Sequence, residues 1–381
     1  MVALTAMRPF NVAPDLLPDA RIINDFLSQG MAEFETLALH FGLENDAEGA
    51  MQLGISLQAY ASQNMELATR TLMEFGVLES HIPVLSRVVE VLYKVINNGS
   101  PAASDHWLKF AVEFFAEHKQ TPEAQRLILE FFTYFGLWEH ALSIHALLPV
   151  EVFEPWRRHI MLSRARAEGF QPRHRFSCVV LTWNRADLLD RCLTEIRAKA
   201  GSEDCEIIVG VNASSDHTAQ ILEKHAIKQV YWNSQNDSID FYRKLFEAAQ
   251  GATIIEIDDN VVELPEAFDL ILEQHLQIFP EIGYFGFQPT RLDTATGVSS
   301  RMDGAAESDY QPIERDGLTI HAGPVWGCCA AITKRDWLNL GGFYGVKLSK
   351  MIGEELQIVR KLAMHDRLGA LIRGQTLLKA F

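Results

Sequence analysis

The chain has 381 residues, 48% of them hydrophobic and 22% charged, with 50 acidic against 34 basic side chains and a formal net charge of −16. That length and balance describe a globular protein of two or three domains, able to bury full cores without disulfide staples. The acid excess is spread over both halves with no Lys/Arg cluster, which excludes binding dominated by nucleic-acid phosphates.

Met1–Phe10 lacks the basic and apolar regions of a signal peptide, and no apolar run approaches the roughly 20 residues that span a bilayer. We therefore expect no transmembrane segment and a cytoplasmic location, with peripheral membrane contact left open. Residues 1–172 read as an all-α domain. Between Gln58 and Phe75, the residues Tyr60, Leu67, Ala68, Leu72 and Phe75 recur near a 3.6-residue period. Pro83–Ile96 does the same through Val84, Leu85, Val88, Val91, Leu92 and Val95. A break at Asn97-Asn98-Gly99-Ser100-Pro101 follows, then helical stretches over Asp105–His118, Pro122–Phe135 and Glu139–Leu147. Short helices with short connections predict stacked helical hairpins, an architecture that offers concave surfaces to a protein or other acceptor. The basic, polar stretch Arg164–Arg175, with Gly169 and Pro172, is where the domain boundary is expected.

From residue 173 the pattern changes to strands alternating with helices. Strands are expected at Ser177–Thr182, Glu206–Val211, Gln229–Trp232 and Thr253–Ile257, and helices at Asp187–Ala200, Thr218–His225 and Ile239–Gln250. This alternation predicts a mostly parallel, Rossmann-like α/β sheet covered on both faces, with ligands beyond the carboxyl ends of its strands. All five cysteines, Cys178, Cys192, Cys205, Cys328 and Cys329, lie in this half. An odd number with no C-x-x-C pair argues for reduced core thiols rather than a disulfide or zinc framework.

Four segments put polar residues at those strand ends. Val179–Arg185 is a buried-type strand running into Thr182, Trp183 and Asn184, where Trp183 could stack on a base; taken alone, the segment is better accounted for as a capped strand–helix turn. Glu206–Thr218 opens into Asn212, able to pair with a base edge, and then a Ser/Asp turn. Ile254–Asn260 delivers Asp258 and Asp259 side by side at a strand tip. Adjacent carboxylates repel unless a cation or donors compensate, and a hard divalent ion suits them because it also grips a diphosphate. Gly353-Glu354-Glu355 places two acids where a helix over Leu356–Ala363 begins, a position also comfortable for purely structural acids.

In this order, the segments resemble the family-2 glycosyltransferases of the GT-A fold, over about residues 176–380. The family's opening strand and aromatic-Asn turn resemble Val179–Arg185, and its second-strand turn resembles Asn212–Thr218. Its D-x-D-type motif resembles Asp258-Asp259, followed by Asn260 and Leu264-Pro265. Its Gly-Gly-Phe element resembles Gly341-Gly342-Phe343, after the strand Ala330-Ala331-Ile332 and the turn Lys334-Arg335, and its late acidic base motif resembles Glu354-Glu355. Val211, His217 and Glu355 stand where the family often has Asp, Gly and Asp.

The resemblance implies an inverting, metal-dependent glycosyltransferase that moves a sugar from a nucleotide-diphosphate donor, UDP-linked by family habit, to a glycan, lipid-linked or protein acceptor. Thr182, Trp183, Asn184, Asn212 and Asp258 would hold the nucleotide. Asp259 would bind Mn²⁺ or Mg²⁺, and Glu355, with Glu354 in reserve, would be the base. His321 and Trp326 are candidates for the donor or acceptor pocket; a structural histidine and a core tryptophan remain their alternatives. The rival from another class is a catalytically degenerate, nucleotide-sugar-binding scaffold whose helical half does the work. A nucleotidyltransferase would need a glycine-rich phosphate loop, and Thr182–Asp187 has no glycine.

Overall fold

A computed structural model describes residues 17–96, 101–294, 296, 299–301, 309–344, 353–375 and 377–380. They form two compact units, one running to Arg164 and including Tyr344, the other starting at Ala165.

The first unit is helical: α1 (Leu17–Gln29), α2 (Phe34–His40), α3 (Ala47–Ala61), α4 (Met65–Phe75), α5 (Ile82–Val91), α6 (Pro101–His118), α7 (Pro122–Tyr134), α8 (Trp138–His145) and α9 (Val150–Glu168), the last crossing the division. The single period expected over Gln58–Phe75 is two helices. Gln63 takes a left-handed φ of 59° and breaks the run. Asn64 then caps α4, its side chain accepting from the Leu67 amide at 3.2 Å. Pairing α3 with α4, and α7 with α6 and α8, gives the expected hairpins. The stripes of Phe and Leu are core: Phe75, Phe114, Phe131 and Leu129 are buried. The basic stretch is less of a linker than its composition suggests, because α9 runs through Arg164–Glu168 and the first strand takes His174 and Arg175. The break at 97–100 and Met1–Phe10 lie outside the described residues.

The second unit contains β1 (His174–Thr182), α10 (Ala186–Lys199), β2 (Cys205–Asn212), α11 (Thr218–Lys224), β3 (Gln229–Asn233), α12 (Tyr242–Ala248), β4 (Gly251–Asp258), β5 (Val261–Glu263), α13 (Phe268–Ile278) and β6 (Ile282–Phe287). There follow β7 (Thr290–Leu292), β8 (Ser299–Arg301), β9 (Gln311–Arg315), β10 (Leu318–Ala322), β11 (Cys329–Thr333), α14 (Lys334–Asn339), α15 (Glu354–Ala363), β12 (Leu368–Ile372) and β13 (Leu378–Ala380). The main sheet has the order β3-β2-β1-β4-β11-β6-β12-β10-β9. Among these strands only β11 and β10 run against the rest. The chain moves outward from β1 through β2 to β3, then returns to place β4 on the other side of β1. That reversal opens a crevice at the carboxyl ends of β1 and β4. A small sheet of order β5-β13-β7-β8 sets the end of the chain beside it, with Lys379 opposite Val261. The core between sheet and helices takes Cys178, Val180, Leu189, Leu193, Ile255, Ile257 and Phe285, and all five cysteines are free thiols.

Candidate active site

Strand β4 is apolar because it is covered on both faces: Ile254, Ile255 and Ile257 are fully buried. Its regularity ends at Asp258, so the two acids fall at the tip beside the end of β1, where Leu181 pairs with Asp258. Asp259 is 4% exposed. Its Oδ1 accepts from Arg185 Nη1 at 2.9 Å, and the Thr182 hydroxyl lies against it. Burial nevertheless holds its carboxyl above the usual range, outweighing Arg185. The carboxylate of Asp258 is paired with the Lys379 ammonium. Burial alone would lower the Lys379 pKa; the Asp258 charge reverses that and raises it. Asn260 anchors the strap behind the acids, donating from Nδ2 to the Ala380 carbonyl at 2.8 Å and accepting from the Ala380 amide at its own carbonyl.

A second acidic group faces the first. Side chains alternate along a strand, so Glu256 projects to the same side as Asp258. Glu256 is fully buried, and Glu354 at the first turn of α15 is 7% exposed. Their carboxyl groups share a hydrogen bond, which requires a proton between them. The Tyr284 hydroxyl reaches Glu256 Oε2 at 3.4 Å. Gly327 is the floor of this pocket: a Cβ there would sit 3.0 Å from Glu256 Oε1 and 3.5 Å from Glu354 Oε1. Burial, then the charge of its neighbours, pushes Glu256 well above the carboxylate range and Glu354 up to about 8. Glu355 is half-buried; burial and Asp258 raise it too. Glu256 Oε1 and Glu354 Oε2 are buried and have no hydrogen-bond partner among the described residues.

The turns after β1 and β2 are tied to each other. Asn184, at a left-handed φ of 50°, accepts at Oδ1 from the Ser215 amide at 2.7 Å, and its own amide donates to Ser214 Oγ at 3.0 Å. Asp216 accepts from the Ala186 and Thr218 amides, so one carboxylate holds the first turns of both α10 and α11. Its pKa is lowered: burial would raise it, but the donors from Thr218 and Ala186 win. Trp183 stands 52% exposed beside this platform.

The structure therefore brings Thr182, Asp258, Asp259, Glu354 and Glu355 into one charged cluster, with Trp183 and Asn184 on its rim. Asn212 differs from the expectation. It is 2% exposed, donates to Asn236 Oδ1 and the Ser238 carbonyl, both at 2.8 Å, and accepts from the Asp237 amide at 3.0 Å. Its amide is spent on the 233–238 loop, which leaves no edge for a base. Trp326 packs against the core cluster next to Gly327. His321 is half-buried on β10, with β11, β6 and β12 between it and β4. Sequence reasoning missed Glu256, Arg185 and Lys379. The signal for Glu256 was available as a lone acid within Ile254–Ile257; Lys379 gives none, since only the pairing of β13 with β5 brings it here.

Residues 177–337 match the family model "Glycosyl transferase family 2". Among solved structures, the chain is similar to a mannosyltransferase from Pyrobaculum calidifontis in complex with GDP-Man and Mn²⁺, at 14% identity over 64% of this chain and 68% of that one, TM-score 0.39. It is also similar to S. aureus TarS 1–349 in complex with UDP-GlcNAc, at 13% identity over 54% of this chain and 58% of that one, TM-score 0.40. A third is glucosyl-3-phosphoglycerate synthase from Mycobacterium tuberculosis in complex with phosphoglyceric acid, at 12% identity over 57% and 74%, TM-score 0.35. No curated protein matches the chain.

Proposed function

Since residues 177–337 are a family-2 glycosyltransferase domain on a GT-A fold, we propose that this chain transfers a sugar, with inversion, from a nucleotide-diphosphate donor to a glycan, lipid-linked or protein acceptor. A UDP-linked sugar is the first donor to try. One observation carries this reading: Asp258, one of the two strand-tip acids, lies within electrostatic reach of Glu355, which comes almost a hundred residues later in the chain.

Trp183 offers a face for the base, and Thr182, Asn184 and Asp258 define the rim where the rest of the nucleoside would lie. A divalent ion on a diphosphate needs only one or two protein carboxylates, with phosphate oxygens completing its shell. Asp259, joined by Asp258, fits that need as a hard-oxygen donor pair. Among the described residues no group of three His, Cys, Asp or Glu forms a complete cage, so the diphosphate would have to supply the remaining ligands. Mn²⁺ or Mg²⁺ bound there supplies charge neutralisation for the leaving diphosphate.

Glu355 is the better base of the two late acids. It is half-buried and reachable, whereas Glu354 is buried against Glu256 and, with a pKa of about 8, holds its proton at neutral pH. Glu355 takes the proton from the acceptor hydroxyl as that oxygen attacks the anomeric carbon opposite the diphosphate. The raised pKa of Glu355 makes it a stronger base and moves the acid limb of the rate profile above the ordinary Glu range. The test is nucleotide release from a panel of nucleotide sugars, with Mn²⁺ and with EDTA, by Asp259→Ala and Glu355→Gln of verified fold. Each should lose about 10²–10⁴-fold in kcat. Wild-type turnover by both variants would end this reading.

A further inference from the structure

We propose that Arg185 and Lys379 are a diphosphate clamp, parked on Asp259 and Asp258 until a nucleotide arrives and then passed to its phosphate oxygens. The proposal rests on the glycosyltransferase reading and deepens it by naming cationic ligands for the donor.

The geometry points this way at each residue. Arg185 immediately precedes α10, and its side chain is 52% exposed while that of the Asp259 it pairs with is 5% exposed. The guanidinium thus lies over the buried carboxylate from the solvent side. It has five donors in a rigid fork, and one of them, on Nη1, is given to Asp259 Oδ1. The remaining donors have the geometry that recognises phosphate bidentately. Lys379 reaches the other acid from the opposite end of the unit, because β13 pairs with β5 directly after the acids. Its side chain is 18% exposed and carries three donors.

Charge explains why the cations would move. Two carboxylates and two cations leave the strand tip neutral, and a divalent ion gains little from acids already paired. A nucleoside diphosphate with its ion brings both signs at once. The ion can take Asp259 and Asp258 while the phosphates take Arg185 and Lys379, so every charge keeps a partner throughout.

The experiment uses the full chain, with UDP and GDP as probes and uridine and guanosine as controls lacking the diphosphate. Arg185→Gln and Lys379→Met are compared with Arg185→Lys and Lys379→Arg by calorimetric titration in EDTA, with melting curves to verify folding. Separately, Mn²⁺ is titrated by electron paramagnetic resonance without nucleotide. The charge-removing variants should lose at least tenfold in diphosphate affinity and nothing in nucleoside affinity, while their nucleotide-free affinity for Mn²⁺ rises as the acids are released. Lys379→Arg should restore most of the loss. Diphosphate affinity within twofold of wild type in both charge-removing variants would overturn the clamp while leaving the transferase reading intact. A wild-type chain that binds no nucleoside diphosphate, with or without Mn²⁺, would overturn both.

Discussion

Each unit buries a pair of glutamates, and the two units deal with them differently. In the helical unit Glu90 and Glu130 converge on Lys94, which donates to Glu90 Oε1 at 2.7 Å and Glu130 Oε1 at 2.6 Å. Arg126 adds a contact to Glu130 at 3.0 Å, and the ammonium lies 5.3 Å from the centre of the Tyr134 ring. Burial would lower the Lys94 pKa, but Glu130 and Glu90 carry it well above its ordinary value. In the sheet unit Glu256 and Glu354 meet each other, with no lysine between them among the described residues, and a proton takes the place of the cation. The desolvation cost is similar in kind. Offset by a lysine, it gives a fixed ionic cluster; offset by a proton, it leaves Glu354 changing state at a pH of about 8, and carboxyl groups shifted so far cluster where catalytic acids and bases are found.

The largest effect should come from breaking the first arrangement. Lys94→Met leaves two glutamates buried without their cation and should cost about 3–5 kcal/mol. Replacing Glu90, Lys94 and Glu130 together by apolar residues of similar volume should recover most of that cost, because the triad pays its own desolvation. Thermal melts of the single and triple variants check both halves. A Lys94→Met chain that melts with the wild type would mean the two units do not differ in the way described.

A smaller effect of opposite sign is expected at the second arrangement. Glu354 has a folded pKa of about 8 against an ordinary 4.5. The folded state therefore binds more protons than the unfolded one, and stability present below about pH 4.5 is lost as pH rises through 8. Glu354→Gln, neutral throughout, should be up to about 3 kcal/mol more stable than wild type at pH 9 and no better at pH 4. Calorimetric scans at pH 4, 7 and 9 measure it, and parallel curves for the two proteins would place the shared proton elsewhere.

How much of this was legible depends on the range of each interaction. The alternation of strands and helices from β1 to β4 follows from local periodicity, and so does the delivery of Asp258 and Asp259 to a strand tip. The start of α15 at Glu354 is likewise written in Gly353 and the acids after it. What escaped is non-local. Lys379 reaches Asp258 across 121 positions, and nothing in Leu378–Ala380 announces it. The merging of α3 and α4 is a different failure: the apolar period continues across Gln63, and only its left-handed backbone interrupts it.

Asn212 shows the same limit at finer scale, and supplies the smallest of the expected effects. Its place at the end of β2 is legible, and a base-reading role follows if its amide is open. The loop 233–238 closes that option by folding back onto it, through Asn236, Asp237 and Ser238. Asn212→Ala should then cost about 1–2 kcal/mol from unpaired buried groups, and should weaken UDP and GDP binding by a common factor as the loop loosens. A residue that reads the base would behave in the opposite way: the melt would stay put, and the ratio of UDP to GDP affinity would change. Measuring the ratio together with the melt separates a side chain that touches the ligand from one that shapes the wall beside it.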